Sequence, residues 1–261
     1  MSPRPARSLA ERTIIVTRPA DQSAVLVELL SRRGARAVIA PAIELVPARS
    51  AALTAALRDL SRGEFVWITL TSRTTVDMLA ARLGEPGDVR TKVAVIGDGT
   101  AAAFRRWAGR KPDLQPTTFT TAALSRAFPR GRGRVLCARA DIAPGGLEDA
   151  LTAKGWTPTR VDAYRTRMPR TLPPEAREAL KTGSVDAVTF TSASTVRGFV
   201  GALGAVAGSP KVVCIGPVTA KEARARGFTV HAVATPHTME GLVSALERVL
   251  PLAARGSIGR P

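Results

Sequence analysis

Residues 13–40 read TIIVTRPADQSAVLVELLSRRGARAVIA, and this stretch indicates how the chain folds. It opens and closes with apolar runs rich in β-branched residues, TIIVT (13–17) and ARAVIA (35–40), which predict strands. Between positions 25 and 30, apolar residues recur at the three- and four-residue spacing of one helix face. A strand, a helix and a second strand in this order predict a parallel sheet covered by helices.

The same alternation continues along the rest of the chain. Eight further short runs predict strands, and stretches with helical spacing separate them. These runs are VWITL (66–70), KVAVIG (92–97), DLQP (113–116), RVLCA (134–138), TRVDAY (159–164), AVTFT (187–191), KVVCIG (211–216) and TVHAVA (229–234). Strands that alternate with helices predict an α/β fold, with parallel sheets that helices cover on both faces.

Three segments recur at nearly constant offsets of 121, 120 and 119 residues. The matched positions include Arg18 with Arg139, Thr71 with Thr191, and Gly97 with Gly216. The repeat predicts a tandem duplication and two similar α/β domains, since a solenoid needs at least three repeats. The pattern leaves open whether each domain is contiguous, with a split near residues 125–134, or whether the halves exchange strands.

The chain is strongly basic: 38 lysine and arginine residues against 21 acidic residues give a net charge of +17. Only six of the 38 are lysines, so a compositional bias with solvated arginines explains part of this charge. The remainder favours a polyanionic partner, either a multiply charged small molecule or nucleic acid. Aromatic residues make up 4% and are not interleaved with basic ones, which makes nucleic acid the least favoured partner.

Cysteine and histidine usage argues against disulfides and metal sites. Cys137 and Cys214 lie in apolar runs, which predicts buried thiols, and the two histidines, His231 and His237, are too few for a metal cluster. No apolar run approaches the roughly 20 residues of a membrane span, and residues 1–12 lack the apolar segment of a secretory signal. We therefore predict a soluble, cytoplasmic protein without a metal and without membrane contact.

Matched hydroxyl pairs follow two of the predicted strands. Thr71-Ser72 comes directly after VWITL, Thr191-Ser192 comes directly after AVTFT, and a helical pattern follows each pair. A serine or threonine in this position caps the helix, and the backbone N–H groups at the helix start can bind an anion. Capping alone explains a single pair, whereas two matched pairs favour paired anion sites at the carboxyl ends of the strands.

Glycine turns follow two other strands, at 97–100 (Gly-Asp-Gly-Thr) and at 216–219 (Gly-Pro-Val-Thr). Each turn ends in a threonine, Thr100 or Thr219, at a predicted helix start. Neither turn matches the dinucleotide-binding or the P-loop pattern, so NAD and adenine nucleotides are not supported as ligands.

Three further side chains are candidates for the site. Arg18 and Arg139 end the first strand of each half, where a guanidinium binds a carboxylate bidentately or forms a structural ion pair. Tyr164 is the only tyrosine and is protonated at neutral pH, so it can donate a proton, although a lone strand tyrosine is more often a packing residue. No catalytic triad, carboxylate pair or metal spacing stands out, which predicts chemistry by binding geometry, hydroxyls and backbone amides.

Several short motifs occur in order along the chain. They are Thr-Arg-Pro (17–19), Thr71-Ser72 with Val76, Val-Ile-Gly-x-Gly-Thr (95–100), Arg139 in RVLCARAD, Tyr164-Arg165-Thr166, Thr-Phe-Thr-Ser (189–192) with Ser194, Thr195 and Val196, Cys-Ile-Gly-Pro-x-Thr-Ala (214–220), and VAxPHTMEGLVSAL (233–246). In this order and spacing, over about residues 12–250, the sequence resembles the uroporphyrinogen-III synthase family.

The resemblance implies two α/β domains joined by a two-stranded connection, with the two halves of the chain exchanging strands. One domain would comprise residues 1–41 and 168–261, and the other would comprise residues 48–160. The connecting strands would be 42–47 and 161–167, which places Tyr164 at the connection.

The resemblance also implies the reaction, which is the cyclisation of hydroxymethylbilane, a linear tetrapyrrole with eight carboxylates, to uroporphyrinogen III. Water is lost, ring D is inverted through a spiro intermediate, and no cofactor takes part. Positioning dominates such a reaction, because the linear substrate also closes unaided without inversion. The expected state is a monomer that receives its substrate by transient hand-over from hydroxymethylbilane synthase.

For a reaction of this kind, we hypothesise that Tyr164 donates a proton to the leaving hydroxyl. Hydroxyls and adjacent backbone amides bind the acetate and propionate groups, and their residues are Thr71, Ser72, Thr100, Thr191, Ser192, Ser194, Thr219 and Thr238. The charge partners are Arg18, Arg139 and Lys211, although Lys211 begins a predicted strand, away from the strand ends. Two alternatives stay open: a non-catalytic two-domain protein that binds a polyanionic small molecule, and a glycosyltransferase, for which no diphosphate or ribose signature is present.

Overall fold

The computed structural model describes residues 8–84 and 91–251. Within these residues the chain forms ten strands and ten α-helices. The strands are β1 (Thr13–Val16), β2 (Arg36–Ile39), β3 (Glu44–Pro47), β4 (Trp67–Leu70), β5 (Lys92–Val95), β6 (Arg134–Ala140), β7 (Thr157–Arg167), β8 (Ala187–Phe190), β9 (Lys211–Cys214) and β10 (Val230–Val233). The helices are α1 (Ala24–Arg32), α2 (Ala51–Ser61), α3 (Arg73–Leu83), α4 (Asp98–Ala108), α5 (Thr121–Ala127), α6 (Leu147–Thr152), α7 (Pro174–Lys181), α8 (Ala193–Ala202), α9 (Pro217–Ala225) and α10 (Met239–Val249).

Two compact units divide the chain, and each contains one five-stranded sheet. Unit 1 comprises the described residues up to Glu44 and from Arg167 onward, and unit 2 comprises Leu45–Thr166. The division falls inside the two segments that were predicted to connect the domains, 42–47 and 161–167. Both units are α/β with parallel strands, as predicted. The domain limits inferred from the sequence stay a prediction.

The sheet of unit 1 runs in the order β10-β9-β8-β1-β2, and its paired strands are parallel. β1 lies between β2 and β8, with Ile14 opposite Ala187 and Val16 opposite Thr189. Strands from opposite ends of the sequence are therefore neighbours in one sheet, which makes unit 1 discontinuous along the chain.

Helices cover both faces of each sheet, which is why the central strands β1, β4, β8 and β9 are almost entirely buried. In unit 1, Leu26 of α1 and Leu246 of α10 pack on one face, and Phe199 of α8 packs on the other. In unit 2, Phe104 of α4 packs on one face, and Leu151 of α6 packs on the other. Each unit therefore has two apolar layers around a central sheet.

The sheet of unit 2 runs in the order β3-β7-β6-β4-β5. By their positions in the sequence repeat, β7, β6, β4 and β5 correspond to β2, β1, β8 and β9 of unit 1. The corresponding strands follow one another in the same order in both sheets. A common order is what a duplicated unit would have, and the duplication itself stays a prediction.

Nine of the ten strands predicted from the short sequence runs are present within the described residues, and one is not. DLQP (113–116) was predicted as a strand, but only Leu114 forms a bridge, with Ala94. Pro116 has no N–H to donate, and the carboxylate of Asp113 accepts a hydrogen bond from the neighbouring strand at 2.8 Å. A regular ladder therefore cannot extend along this segment, and the strand prediction is wrong.

Helix α8 carries two glycines in different surroundings, which gives a matched test of packing. A β-carbon at Gly198 would overlap the carbonyl oxygen of Ala42, whereas one at Gly201 would meet no atom within 4 Å. We expect Gly198→Ala to lower the free energy of unfolding by about 1–3 kcal/mol. Gly201→Ala should raise it by about 0.5–1 kcal/mol. Urea unfolding measures both, and equal effects would contradict the close approach of α8 to Ala42.

Candidate functional site

Ser72 connects β4 of unit 2 to the start of α3. Its backbone is extended, and its Oγ accepts a hydrogen bond from the backbone N–H of Thr75 at 3.1 Å. Because β4 is buried along its whole length, polar side chains become partly exposed only where the strand ends. Thr71, at this end, is half-buried. The predicted helix cap is present, at the carboxyl end of the strand.

Tyr164, in β7, lies against this helix start. Its hydroxyl is 3.3 Å from Oγ of Ser72, and only 8% of the residue is exposed. Burial raises the pKa of Tyr164 above its usual value; the hydrogen bond with Ser72 opposes this rise, and the negative charge of Asp141 adds to it. The phenol therefore keeps its proton at neutral pH and can act as a hydrogen-bond or proton donor.

A second helix start in unit 2 follows β5. Gly97 caps α4, and Thr100, in the first turn, is buried. Asp98 accepts a hydrogen bond from the side chain of Gln115 at 2.7 Å, and the ring of Phe119 packs against Gly97. Thr100 lies at the helix start as predicted, but Asp98 already places a negative charge there, which weakens anion binding.

Arg139 is buried at the end of β6. Its Nη1 donates to both carboxylate oxygens of Glu148, at 3.0 and 3.1 Å. Its Nε has no hydrogen-bond partner among the residues that the structure describes. A buried guanidinium needs a counter-charge because an unpaired buried charge is strongly destabilising. The ion pair considered from the sequence is therefore present, and the side chain is only 1% exposed.

Unit 1 has the same local arrangement at the start of α8. Oγ of Ser192 accepts a hydrogen bond from the N–H of Thr195 at 3.1 Å, and the hydroxyl of Thr195 accepts one from the N–H of Ser192 at 3.2 Å. This reciprocal pair is a capping box. The hydroxyl of Ser194 is 2.9 Å from Oγ of Ser192, and Thr191 is half-buried beside them. The structure thus brings these three predicted residues together at the carboxyl end of β8.

Two further helices of unit 1 begin at the same edge of the sheet. Gly216 caps α9, and Thr219, in its first turn, is buried. Thr238 caps α10, where its hydroxyl accepts a hydrogen bond from a backbone N–H at 3.1 Å. His237, which was not among the candidates, lies against Gly216, and its Nδ1 is 2.8 Å from the carbonyl oxygen of Ala234.

Arg18 and Lys211 lie at opposite ends of the parallel strands in unit 1, Arg18 at the carboxyl ends and Lys211 at the amino ends. Arg18 follows β1 and is half-buried; its Nε donates to the carbonyl oxygen of Gln22 at 3.1 Å, and its Nη1 is 3.7 Å from Sδ of Met239 at the start of α10. Lys211 is the first residue of β9, so it lies away from the carboxyl ends of the strands. The structure does not bring Lys211 together with the other predicted residues.

The two cysteines are buried, as predicted. Burial raises the pKa of the Cys137 and Cys214 thiols to about 11 each, so both are protonated at neutral pH. Over residues 8–84 and 91–251, no group of three His, Cys, Asp or Glu side chains is arranged to hold a metal ion. Over the same ranges, no helix has the length and apolar character to cross a membrane.

The sequence matches the family described as Uroporphyrinogen-III synthase HemD over residues 24–244. The chain belongs to the uroporphyrinogen-III synthase family. A uroporphyrinogen-III synthase from Synechococcus elongatus is 30% identical to it, over 92% of this chain and 96% of the relative. As a member of this family, the chain is an enzyme of tetrapyrrole biosynthesis.

Two solved structures share the fold of this family member. A mutant uroporphyrinogen III synthase from Thermus thermophilus is 22% identical, with a TM-score of 0.65, and the match covers 92% of this chain and 98% of that one. A uroporphyrinogen-III synthetase from Helicobacter pylori is 14% identical, with a TM-score of 0.61, over 91% and 99% of the two chains. At these identities the likeness shows the fold alone, and it agrees with two α/β domains.

The caps Ser72 and Ser192 give a matched test of the contact with Tyr164. Ser72→Ala and Ser192→Ala each remove a helix cap and should lower the free energy of unfolding by about 1 kcal/mol. Only Ser72→Ala also removes the hydrogen bond to the phenol, so only this variant should raise the pKa of Tyr164. Because the chain has one tyrosine, an alkaline titration of tyrosinate absorbance measures that pKa directly. The same midpoint in both variants would contradict the contact.

Proposed function

We propose that the chain cyclises hydroxymethylbilane to uroporphyrinogen III, with loss of water and inversion of ring D through a spiro intermediate. The observation that carries this proposal is the buried, protonated hydroxyl of Tyr164, 3.3 Å from Ser72 at a helix start. In a member of this family, a proton donor beside a helix start suits a substrate that loses a hydroxyl while its carboxylates are bound.

The bond changes of this reaction balance without a cofactor. A pyrrole nitrogen pushes electrons toward the terminal carbon, the C–O bond breaks, and the hydroxyl leaves as water with a proton from Tyr164. The substituted carbon of ring D attacks the resulting azafulvene and forms the spiro intermediate. Its original carbon–carbon bond then breaks, and the ring recloses with ring D inverted. The proton released as ring D regains aromaticity restores the phenol.

Geometry, more than reactivity, is what the enzyme supplies to this reaction. The linear substrate ionises readily and closes unaided, so a catalyst has to select the closure that inverts ring D. Holding the substrate in one near-attack conformation is a positioning task, which hydroxyls and backbone amides can perform. The predicted set contains no cysteine, histidine or carboxylate side chain, which agrees with such a task.

We assign the acetate and propionate groups to hydroxyls and backbone amides at five helix starts. The residues are Thr71, Ser72, Thr100, Thr191, Ser192, Ser194, Thr219 and Thr238. Arg18 supplies positive charge in unit 1, because its half-buried guanidinium lies next to the start of α10. Arg139, which is paired with Glu148, and Lys211, at the other edge of its sheet, are not part of this assignment.

We further propose that the enzyme is a cytoplasmic monomer without a nucleic-acid partner. Its domains would be residues 1–41 with 168–261 and residues 48–160, joined by 42–47 and 161–167. A transient hand-over from hydroxymethylbilane synthase would shorten the life of free substrate and so limit its unaided closure.

The activity is tested with freshly generated hydroxymethylbilane. The products are oxidised, and the porphyrin isomers I and III are separated by chromatography. We expect isomer III to predominate, because only inversion of ring D produces it. Isomer I alone, formed at the uncatalysed rate in the presence of folded protein, would overturn the proposal and favour a non-catalytic protein that binds a polyanionic small molecule.

The role of Tyr164 is tested with Tyr164→Phe, which removes the hydroxyl and keeps the ring. General acid catalysis contributes about 10²–10⁴-fold, and because the substrate ionises readily we expect a loss in kcat at the low end of this range. Far-ultraviolet circular dichroism establishes that the variant is folded. Complete loss of turnover in folded protein, or an unchanged kcat, would each contradict this role.

A further inference from the structure

The direction of the Tyr164 side chain departs from the regular alternation of a strand. Successive side chains point to opposite faces of a sheet, so Val161 and Ala163 share one face, and Tyr164 would share the other with Asp162. Instead, Tyr164 packs in the same apolar cluster as Val161 and Ala163, on the face that α3 covers. An irregularity in β7 therefore has to precede Tyr164.

The irregularity is a register shift between β6 and β7. Arg139 lies opposite Asp162, but the next residue of β6, Ala140, lies opposite Tyr164. Ala163 is thus the extra residue of a bulge, and its carbonyl oxygen accepts a hydrogen bond at 3.1 Å from the segment that follows β3. Bulges change the direction of a side chain and are frequent next to active sites. Here the bulge turns the phenol toward the start of α3.

Asp141 makes the hydrogen bonds that follow the bulge. Its backbone N–H donates to the carbonyl oxygen of Tyr164 at 3.1 Å, and its Oδ1 accepts from the N–H of Thr166 at 3.0 Å. The same oxygen accepts from the N–H of Ile142 at 2.9 Å, which holds the carboxylate in place. Asp141 therefore binds β7 at Tyr164 and again two residues further along.

We propose that Asp141 is the positioning residue that fixes the bulge and thereby directs Tyr164 toward Ser72. Its effect on the rate acts through Tyr164, and this catalytic part rests on the proposed function. The structural part, which concerns the orientation and environment of Tyr164, does not depend on the proposed function.

The charge of Asp141 contributes an effect separate from its hydrogen bonds. Burial raises the pKa of Tyr164 most, the hydrogen bond with Ser72 lowers it, and the negative charge of Asp141 raises it. A carboxylate near the phenol disfavours the phenolate because two negative charges repel each other. Asp141 thus acts on Tyr164 through backbone register and through charge, and substitution can separate the two.

Asp141→Asn and Asp141→Ala make this separation. Asparagine keeps an oxygen that can accept from Thr166 and removes the charge, whereas alanine removes both. We expect Asp141→Asn, which keeps Tyr164 against Ser72, to lower the pKa of Tyr164 in the tyrosinate titration. Asp141→Ala should leave this pKa higher than Asp141→Asn does, because it also loses the hydrogen bond with Ser72. Asp141→Asn should retain most of the wild-type kcat for isomer III. Asp141→Ala should lower kcat by about 10- to 100-fold with little change in KM, since a misplacement of about 1 Å can cost about 10²-fold.

Asp162→Ala is the matched control. Asp162 is a carboxylate in β7, the strand of Tyr164, and it lies opposite Arg139 directly before the bulge. It should leave kcat and the Tyr164 titration unchanged. The proposal is overturned if Asp141→Ala keeps the wild-type kcat and midpoint, if Asp141→Asn loses as much kcat as Asp141→Ala, or if Asp162→Ala reproduces the losses.

A second variant and a substrate-free measurement complete the test. If Asp141→Ala does not fold, Thr166→Pro removes the hydrogen bond between Thr166 and Asp141 from the donor side. The proposal then requires that Thr166→Pro lower kcat by the same factor. The titration needs no substrate, so it tests the action of Asp141 on Tyr164 even if the wild-type protein yields only isomer I. That yield would reject the proposed function, whereas an unchanged midpoint in both Asp141 variants would reject the present inference.

Discussion

The pairing of β1 with β8 is the interaction on which the rest of unit 1 depends. The hydroxyl of Thr17 donates to the carbonyl oxygen of Thr189 at 2.7 Å, and the hydroxyl of Thr189 donates to the carbonyl oxygen of Ile15 at 2.9 Å. At the other end of the pair, the carboxylate of Asp186 accepts from the N–H of Thr13 at 2.8 Å. β1 and β8 are parallel, so their carboxyl ends lie at the same end of the sheet. This pairing therefore brings the guanidinium of Arg18, after β1, and the hydroxyls at the start of α8 to that end.

The strands and helix caps could be predicted from the sequence because both depend mainly on neighbours along the chain. Apolar runs located nine strands, and the hydroxyls at Ser72 and Ser192 cap the helices that follow them. The strand prediction at 113–116 is wrong because the proline and the aspartate of this segment prevent a regular ladder. The place of the segment in the alternation of strands and helices had suggested a strand. Local hydrogen-bonding capacity overrode the pattern there.

The orientations that matter for the candidate site could not be predicted in this way. The face on which Tyr164 lies depends on a register shift against β6, and a register shift is a property of two strands rather than of one. For Arg139, spacing allowed a ligand contact or an ion pair, and the position of Glu148 in α6 selects the ion pair. The sequence therefore indicated which residues lie at the strand ends, and three-dimensional packing determines which of them present a polar group.

The discontinuity of unit 1 also sets the order in which the protein can form during synthesis. All residues of unit 2 have been added to the growing chain before any residue of β8 exists, so the middle of the protein can fold while the first strand–helix–strand segment has no partner. Until β8 arrives, one edge of β1 and the apolar face of α1 lie uncovered. A chain that stops after unit 2 would contain one complete domain and one strand–helix–strand segment without its partner strand. Chaperones would bind that segment first, and proteases would cleave it first.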